Sequence, residues 1–351
     1  ESIVNFKNLE ATKRTEVLSD NAQWFEDNSP VDARFKKKEC KGVTAKVITT
    51  AILAGDCYPA TPIGINLPNA NWIRETYGSK SVTIENITYA YDQAAKGNGF
   101  KEEFVDCDAD REMIEKYGYI TDNIHTDLHE CLGHGSGQLL PGVSQDALKA
   151  YGATVEEARA DLFGLYYSAD PKMVELGLLP TEDAYKAEYY TYLMNGLMTQ
   201  LVRINLGDQI EEAHMRNRAL IAHWVYEKGA ADKVVELEKR DGKTYVRIND
   251  YKKLRTLFGD LLAEIQRIKS EGDFEAARKL VENYGVNIDP ELHKEVKERY
   301  AKLNISPYKG FINPTYQLVE KDGKVVDVKV DYKEGYAEQM LRYSKMNNNV
   351  E

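Results

Sequence analysis

Two histidines five positions apart, His129 and His134 in the run His129-Glu130-Cys131-Leu132-Gly133-His134, constrain the fold of this chain more than any other feature. At about 100° per residue, partners four apart on a helix turn only about 40° from a common face, whereas partners five apart are separated by about 140°. If both rings are to face one point, the helix carrying them must be distorted. One inserted residue is absorbed by a π-bulge, and Gly133 eases the backbone just before the second ring. The spacing therefore predicts a distorted turn between His129 and His134.

A second motif follows, Glu156-Glu157-Ala158-Arg159-Ala160-Asp161, in a stretch whose residues 155–168 read as helix. Glu157 and Asp161 then lie one turn apart on one face, with Glu156 about 100° away. The residue types fit an open zinc site, which takes three protein ligands from His and carboxylate and leaves a fourth position to water. Two His and one carboxylate satisfy that count. Ligating imidazoles donate their other N–H to a carboxylate or carbonyl, and Glu156 and Asp161 are the candidates for that duty. Glu130, beside the first His, stands where a general base for the attacking water belongs. Each motif alone is a weak signal, since charged runs on helices are usually solvated faces. Their conjunction, in this order, carries the reading.

His-Glu-x-x-x-His paired with Glu-Glu-x-Arg-x-Asp/Glu resembles the signature of the dipeptidyl peptidase III family of zinc exopeptidases, here as HECLGH and EEARAD. Three further runs are similar to family segments in the family's order: Gly64-Ile65-Asn66-Leu67-Pro68-Asn69, Gly133-His134-Gly135-Ser136-Gly137, and Glu212-Ala213-His214-Met215-Arg216-Asn217-Arg218. By this resemblance His129, His134 and Glu157 hold one Zn2+ per chain and Glu130 is the catalytic base. The same resemblance gives Asn66 and Asn69 the amino-terminal end and backbone of the substrate. His214 falls near the reacting carbonyl and Arg218 on the leaving side. Cys131 and Ala158 depart from the common pattern at positions that need not ligate metal.

The resemblance also implies an architecture: a mostly α, α+β fold with a helical zinc-bearing lobe, a smaller β-rich lobe and the substrate cleft between them. It implies a monomer. Family members are about twice as long, and the chain opens on Glu1-Ser2-Ile3-Val4 without a Met, so it resembles a C-terminal catalytic portion.

The rest of the sequence agrees with a peptidase acting on oligopeptides. A net charge of -11 and the absence of a basic stripe with interleaved aromatics argue against nucleic acid as a partner. The most apolar stretch, Val47 to Gly55, is too short to span a bilayer, so no membrane partner is expected. Cys40, Cys57, Cys107 and Cys131 are scattered without metal-type spacing, which suits free thiols in a reducing compartment and a cytoplasmic location. Gly133 to Gly137 is no phosphate cradle, because it lacks the Gly-Lys-Ser/Thr ending and follows a helix.

Along the chain, residues 1–40 read as a helical segment of the upper lobe and 41–95 as a β-rich segment of the lower lobe. Residues 96–300 form the helical zinc lobe, and 301–351 are a hairpin and helix returning to the lower lobe. Val43 to Ile52 is β-branched, Leu257 to Ile268 and Phe274 to Tyr284 are apolar stripes of a helix pair, and Asp241-Gly242 and Asp322-Gly323 mark hairpins. The expected activity is release of dipeptides from the N-terminus of oligopeptides by metal-activated water. The rival is a non-catalytic zinc or peptide-binding fragment of such an enzyme. An endopeptidase of similar chemistry is a third, weaker reading.

Overall fold

The β-branched run beginning at Thr44 forms β2 (Thr44–Ala54) in a computed structural model that describes residues 2–40, 44–54, 62–67, 73, 76–78, 80–305 and 311–347. β2 lies inside a mixed four-stranded sheet of order β1-β2-β4-β3, with β1 at Ser2–Lys7, β3 at Gly64–Leu67 and β4 at Lys80–Ile84. It pairs antiparallel with β1 and parallel with β4, and β3 pairs antiparallel with β4 at the sheet edge. The strand at Ser2–Lys7 corrects the reading of residues 1–40 as helical from their start. Ser2-Ile3-Val4-Asn5-Phe6 is a short apolar run whose state is decided by the open edge of β2 rather than by local preference.

Helix α1 (Leu9–Asp20) follows at once, its first turn capped by the Asn8 carboxamide oxygen accepting from Ala11 N at 3.0 Å. Two threonines bolt it to β2. Thr12 Oγ1 exchanges hydrogen bonds of 3.2 Å with the Val47 backbone, and Thr15 Oγ1 donates to Ala45 O at 3.1 Å.

The helical body comprises α2 (Ala22–Asp27), α3 (Glu85–Ala95), α4 (Phe100–Phe104), α5 (Asp108–Asp127), α6 (Gly152–Ser168), α7 (Lys172–Glu175) and α8 (Tyr185–Leu197). It continues with α9 (Ala213–Lys228), α10 (Tyr251–Glu271), α11 (Phe274–Tyr284) and α12 (Pro290–Lys302). α6 is buried nearly all round, from Thr154 and Val155 through Leu162 and Phe163 to Tyr167 and Ser168, so it is the axis of this body. The α10–α11 hairpin turns at Gly272, which takes φ 67°, and Asp273 caps α11 by accepting from Ala276 N at 3.0 Å.

The two Asp-Gly pairs are the hairpin turns read from the sequence, β5–β6 (Val235–Arg240, Lys243–Ile248) and β7–β8 (Thr315–Lys321, Lys324–Asp331). All four turn residues have positive φ, as a two-residue type I′ connection requires. The C-terminal segment docks on β2. Asn313 accepts from Leu53 N and donates to Leu53 O, both at 2.9 Å, and Tyr316 Oη donates to Ala51 O at 2.7 Å. Phe311 joins Leu53, Ile84 and Ile87 in a small core of their own, and α13 (Tyr336–Asn347) ends the described chain. The fold is thus mostly α with small sheets. Among the described residues, no helix is long and apolar enough to cross a membrane.

One buried ion pair ties sheet to helices where α5 ends. Arg14 of α1 donates from Nε to Asp127 Oδ2 at 2.6 Å, and Thr83 Oγ1 of β4 donates to Asp127 Oδ1 at 3.1 Å. Removing one partner strands a buried charge, so Arg14→Met is expected to lower the unfolding free energy in urea by about 3 kcal/mol. An unchanged midpoint and slope would show that the pair does not hold these elements together.

Candidate metal centre

Helix α5 does not stop at Asp127 but widens into a π-helical turn over Leu128–Gly133. Its signature bond runs from His134 N to His129 O at 3.0 Å, five residues back. The expected distortion is therefore present, and it sets the two rings 4.7 Å apart at 89°. Gly133 has a second reason beyond backbone ease: a Cβ there would lie 2.9 Å from Ala160 Cα. The turn rests directly on α6, which presents Glu156, Glu157 and Asp161.

Each ring is held from behind. His129 Nδ1 meets Asp161 Oδ1 at 2.7 Å, and His134 Nδ1 meets Glu156 Oε1 at 2.9 Å. With their Nδ1 hydrogens on these carboxylates, the rings turn their Nε2 lone pairs toward Glu157 Oε2, at 3.2 Å from His129 and 3.8 Å from His134. That oxygen is buried and accepts no hydrogen bond among the described residues. Acceptor lone pairs facing one another across 3.2 Å repel unless a cation or a proton lies between them. The three ligand atoms lie within 4.8 Å of one another, and two imidazoles with one carboxylate fit a divalent metal of the zinc type. Without a metal, burial disfavours a charge on His129, but Asp161 and Glu157 outweigh it and hold its pKa well above the ordinary histidine value.

The outer carboxylates are compensated differently. Glu156 receives Arg159 in a fork, Nη2 at 2.7 Å and Nε at 3.1 Å, and a salt bridge from Lys269. Arg159 also donates from Nη1 to Ser136 O and Oγ, which fixes the loop after His134. Burial pushes the Glu156 carboxyl up, yet Arg159, Lys269 and His134 prevail and set it well below the ordinary range. Asp161 receives two neutral donors on Oδ2, Tyr192 Oη at 2.8 Å and Asn217 Nδ2 at 3.0 Å. Its carboxyl also lies below the ordinary range, because His129, His125 and Arg218 overcome burial.

The remaining sequence candidates fall around this cluster. Ser81 Oγ of β4 donates to Glu130 O at 2.7 Å, and the Glu130 carboxylate lies against Gly64 at the start of β3. His214, half-exposed at the N-terminus of α9, meets Glu212 Oε1 through Nδ1 at 2.7 Å and sets Nε2 3.5 Å from Glu157 Oε2. Arg218 follows one turn later, half-buried, its charge acting on Asp161. Asn66 pairs through its backbone with Ser81, but its side chain, like all of Asn69, lies outside the described residues. Sequence reading missed Tyr192, Asn217, Lys269, Ser81 and the packing role of Gly64. Only His125, one helical turn before His129, left a spacing signal.

Comparison with known proteins yields one family model, peptidase family M49, matched over residues 1–149 and 143–341. Dipeptidyl peptidase 3 of Rattus norvegicus is 25% identical over 368 residues, covering 91% of this chain and 49% of that protein. Dipeptidyl peptidase 3 of Dictyostelium discoideum is 25% identical over 336 residues, 81% of this chain and 45% of that protein. Nudix hydrolase 3 of Arabidopsis thaliana is 26% identical over 327 residues, 91% of this chain and 39% of that protein. The chain thus spans about half the length, or less, of the curated relatives it matches. Among solved structures, DPP III from Caldithrix abyssi superimposes with a TM-score of 0.69 at 24% identity, over 86% of this chain and 55% of that one. Dipeptidyl-peptidase III from Corallococcus sp. strain EGB gives 0.70 at 23%, over 88% and 54%. At these identities the likeness establishes the fold alone.

Dialysis against zinc should load one ion per chain, and Glu157→Ala should weaken binding by more than about 100-fold, beyond the usual cost of losing an outer partner. Because Asp161 and Glu157 hold the His129 pKa above its ordinary value in the ion-free cluster, a proton competes with the metal there, so affinity should be higher at about pH 8 than at about pH 6.5. A competition titration with a chromophoric chelator reads both effects. Equal affinity at the two pH values would show that no proton on His129 competes with the metal.

Proposed function

This chain belongs to peptidase family M49, and from that premise we propose that it is a zinc-dependent dipeptidyl peptidase releasing dipeptides from the N-terminus of oligopeptides. The observation that carries the proposal is the convergence of His129 Nε2, His134 Nε2 and Glu157 Oε2 on one point, with Glu130 alongside. His129, His134 and Glu157 would hold a zinc ion there, and it would supply Lewis acidity to the scissile carbonyl and to water. Glu130 takes the proton of the attacking water and returns it to the leaving amine. Asp161 and Glu156 keep the two rings oriented throughout. His214, its plane fixed by Glu212, would reach the reacting carbonyl through Nε2.

The substrate's register comes from the sheet. Among the described residues no strand covers the outer edge of β3, which supports strand addition by an extended peptide beside Glu130. Asn66 and Asn69 would then hold the amino-terminal end and backbone, and Arg218 the leaving side. In this proposal the helical body and the sheet with its C-terminal hairpin are the two lobes of a cleft, and the protein acts as a cytoplasmic monomer.

The half-length match to relatives favours one other reading, a zinc or peptide-binding fragment without turnover. A chromogenic dipeptidyl substrate separates the two: chelator-sensitive dipeptide release supports the enzyme, and stoichiometric zinc without turnover supports the fragment. Glu130→Ala is expected to lower kcat by at least about 10²-fold while zinc remains bound. Normal turnover in that variant would refute the base assignment.

Gly64 offers a second test. A Cβ at this position would lie 2.5 Å from Glu130 Oε1, the movable end of a side chain, so the fold can accept Gly64→Ala but the carboxylate must shift. A misplacement of about 1 Å costs about 10²-fold in rate, so kcat should fall on that scale with zinc affinity and melting temperature unchanged. In a Glu130→Gln background the same substitution should add nothing.

A further inference from the structure

Behind Asp161 lies a buried histidine that the proposed chemistry does not use. His125 is only 7% exposed, sits one turn before His129 on α5, and meets Glu188 Oε1 of α8 through Nδ1 at 2.6 Å. Its Nε2 is buried, has no hydrogen-bond partner among the described residues, and points at Asp161 Oδ1 from 3.6 Å, the same oxygen that receives His129. The space for this ring is made by Gly164 in the interior of α6, where a Cβ would lie 2.3 Å from His125 Cδ2 and 2.9 Å from Nε2. A glycine inside a helix is unfavourable relative to alanine, a cost set here against the close approach of one imidazole.

Position and charge give the ring a task. On the His134 side, the carboxylate Glu156 is flanked by Arg159 and Lys269. On the His129 side, the hydrogen bonds to Asp161 Oδ2 come from the neutral groups of Tyr192 and Asn217, Arg218 acts by its charge without an ion-pair contact among the described residues, and His125 is the ionisable ring within ion-pair reach of Oδ1 besides His129 itself. We propose that His125, anchored by Glu188, is a positioning residue of the metal centre that holds Asp161 in the rotamer from which it orients His129. The inference rests on the metallopeptidase reading and adds to it a layer behind the ligands.

The test is the zinc dissociation constant, measured by chelator competition on the whole chain, with KM, kcat and melting temperature alongside. His125→Leu should weaken zinc binding by about tenfold, the lower end for an outer partner, with KM unchanged. His125→Gln, whose amide restores a donor near the Nε2 position, should recover most of the loss. Wild-type zinc affinity in a folded His125→Leu chain would overturn the proposal, as would equal losses in the Leu and Gln variants. If His125→Leu does not fold, Glu188→Gln is judged by the same criterion. A wild-type chain that takes up no zinc overturns the metallopeptidase reading itself, and this inference with it.

Discussion

The bond from His134 N to His129 O, five residues back, is the constraint on which the centre depends. A regular helix would point these rings about 140° apart, and the single extra residue turns them onto one another. Once they face Glu157, the other demands follow in order. Their Nδ1 edges need acceptors, which α6 supplies as Asp161 and Glu156. Those buried carboxylates need donors of their own, which come from Arg159 on α6, Lys269 on α10, Tyr192 on α8 and Asn217 on α9. The helical body is therefore arranged in shells about one distorted turn.

The sheet contributes from the opposite side. Ser81 holds the Glu130 carbonyl and Gly64 leaves room for its carboxylate, so the two strands nearest the π-turn shape the surroundings of the base without supplying a ligand. Arg14, Asp127 and Thr83 fasten α1 and β4 to the last residue of α5, just ahead of the turn. The widened turn and the anchorage of the sheet thus meet within a few residues.

Much of this was legible because local geometry encodes it. The five-residue spacing required the distortion, the Asp-Gly pairs fixed both hairpins, and the EEARAD run had to be helical to present its carboxylates together. The allotment of Asp161 to His129 and Glu156 to His134 was not legible, since both carboxylates were open to either ring until α6 was docked. Tyr192, Asn217 and Lys269 come from helices distant in sequence, and a lone Tyr, Asn or Lys carries no mark of the carboxylate it will meet. The strand at Ser2–Lys7 escaped for a related reason, being made by the edge of β2 rather than by its own residues.

The contact of Gly133 with Ala160 bears on how far the cluster of His129, His134 and Glu157 can open. Main chain rests on main chain there, so the gap between the ligand-bearing turn and α6 is set by covalent dimensions rather than by adjustable rotamers. A calliper of that kind holds the turn that carries both rings at a set distance from the helix that carries Glu157, whatever rotamers the neighbouring side chains adopt. The aperture of the cluster is thereby written into two residues that stand outside it.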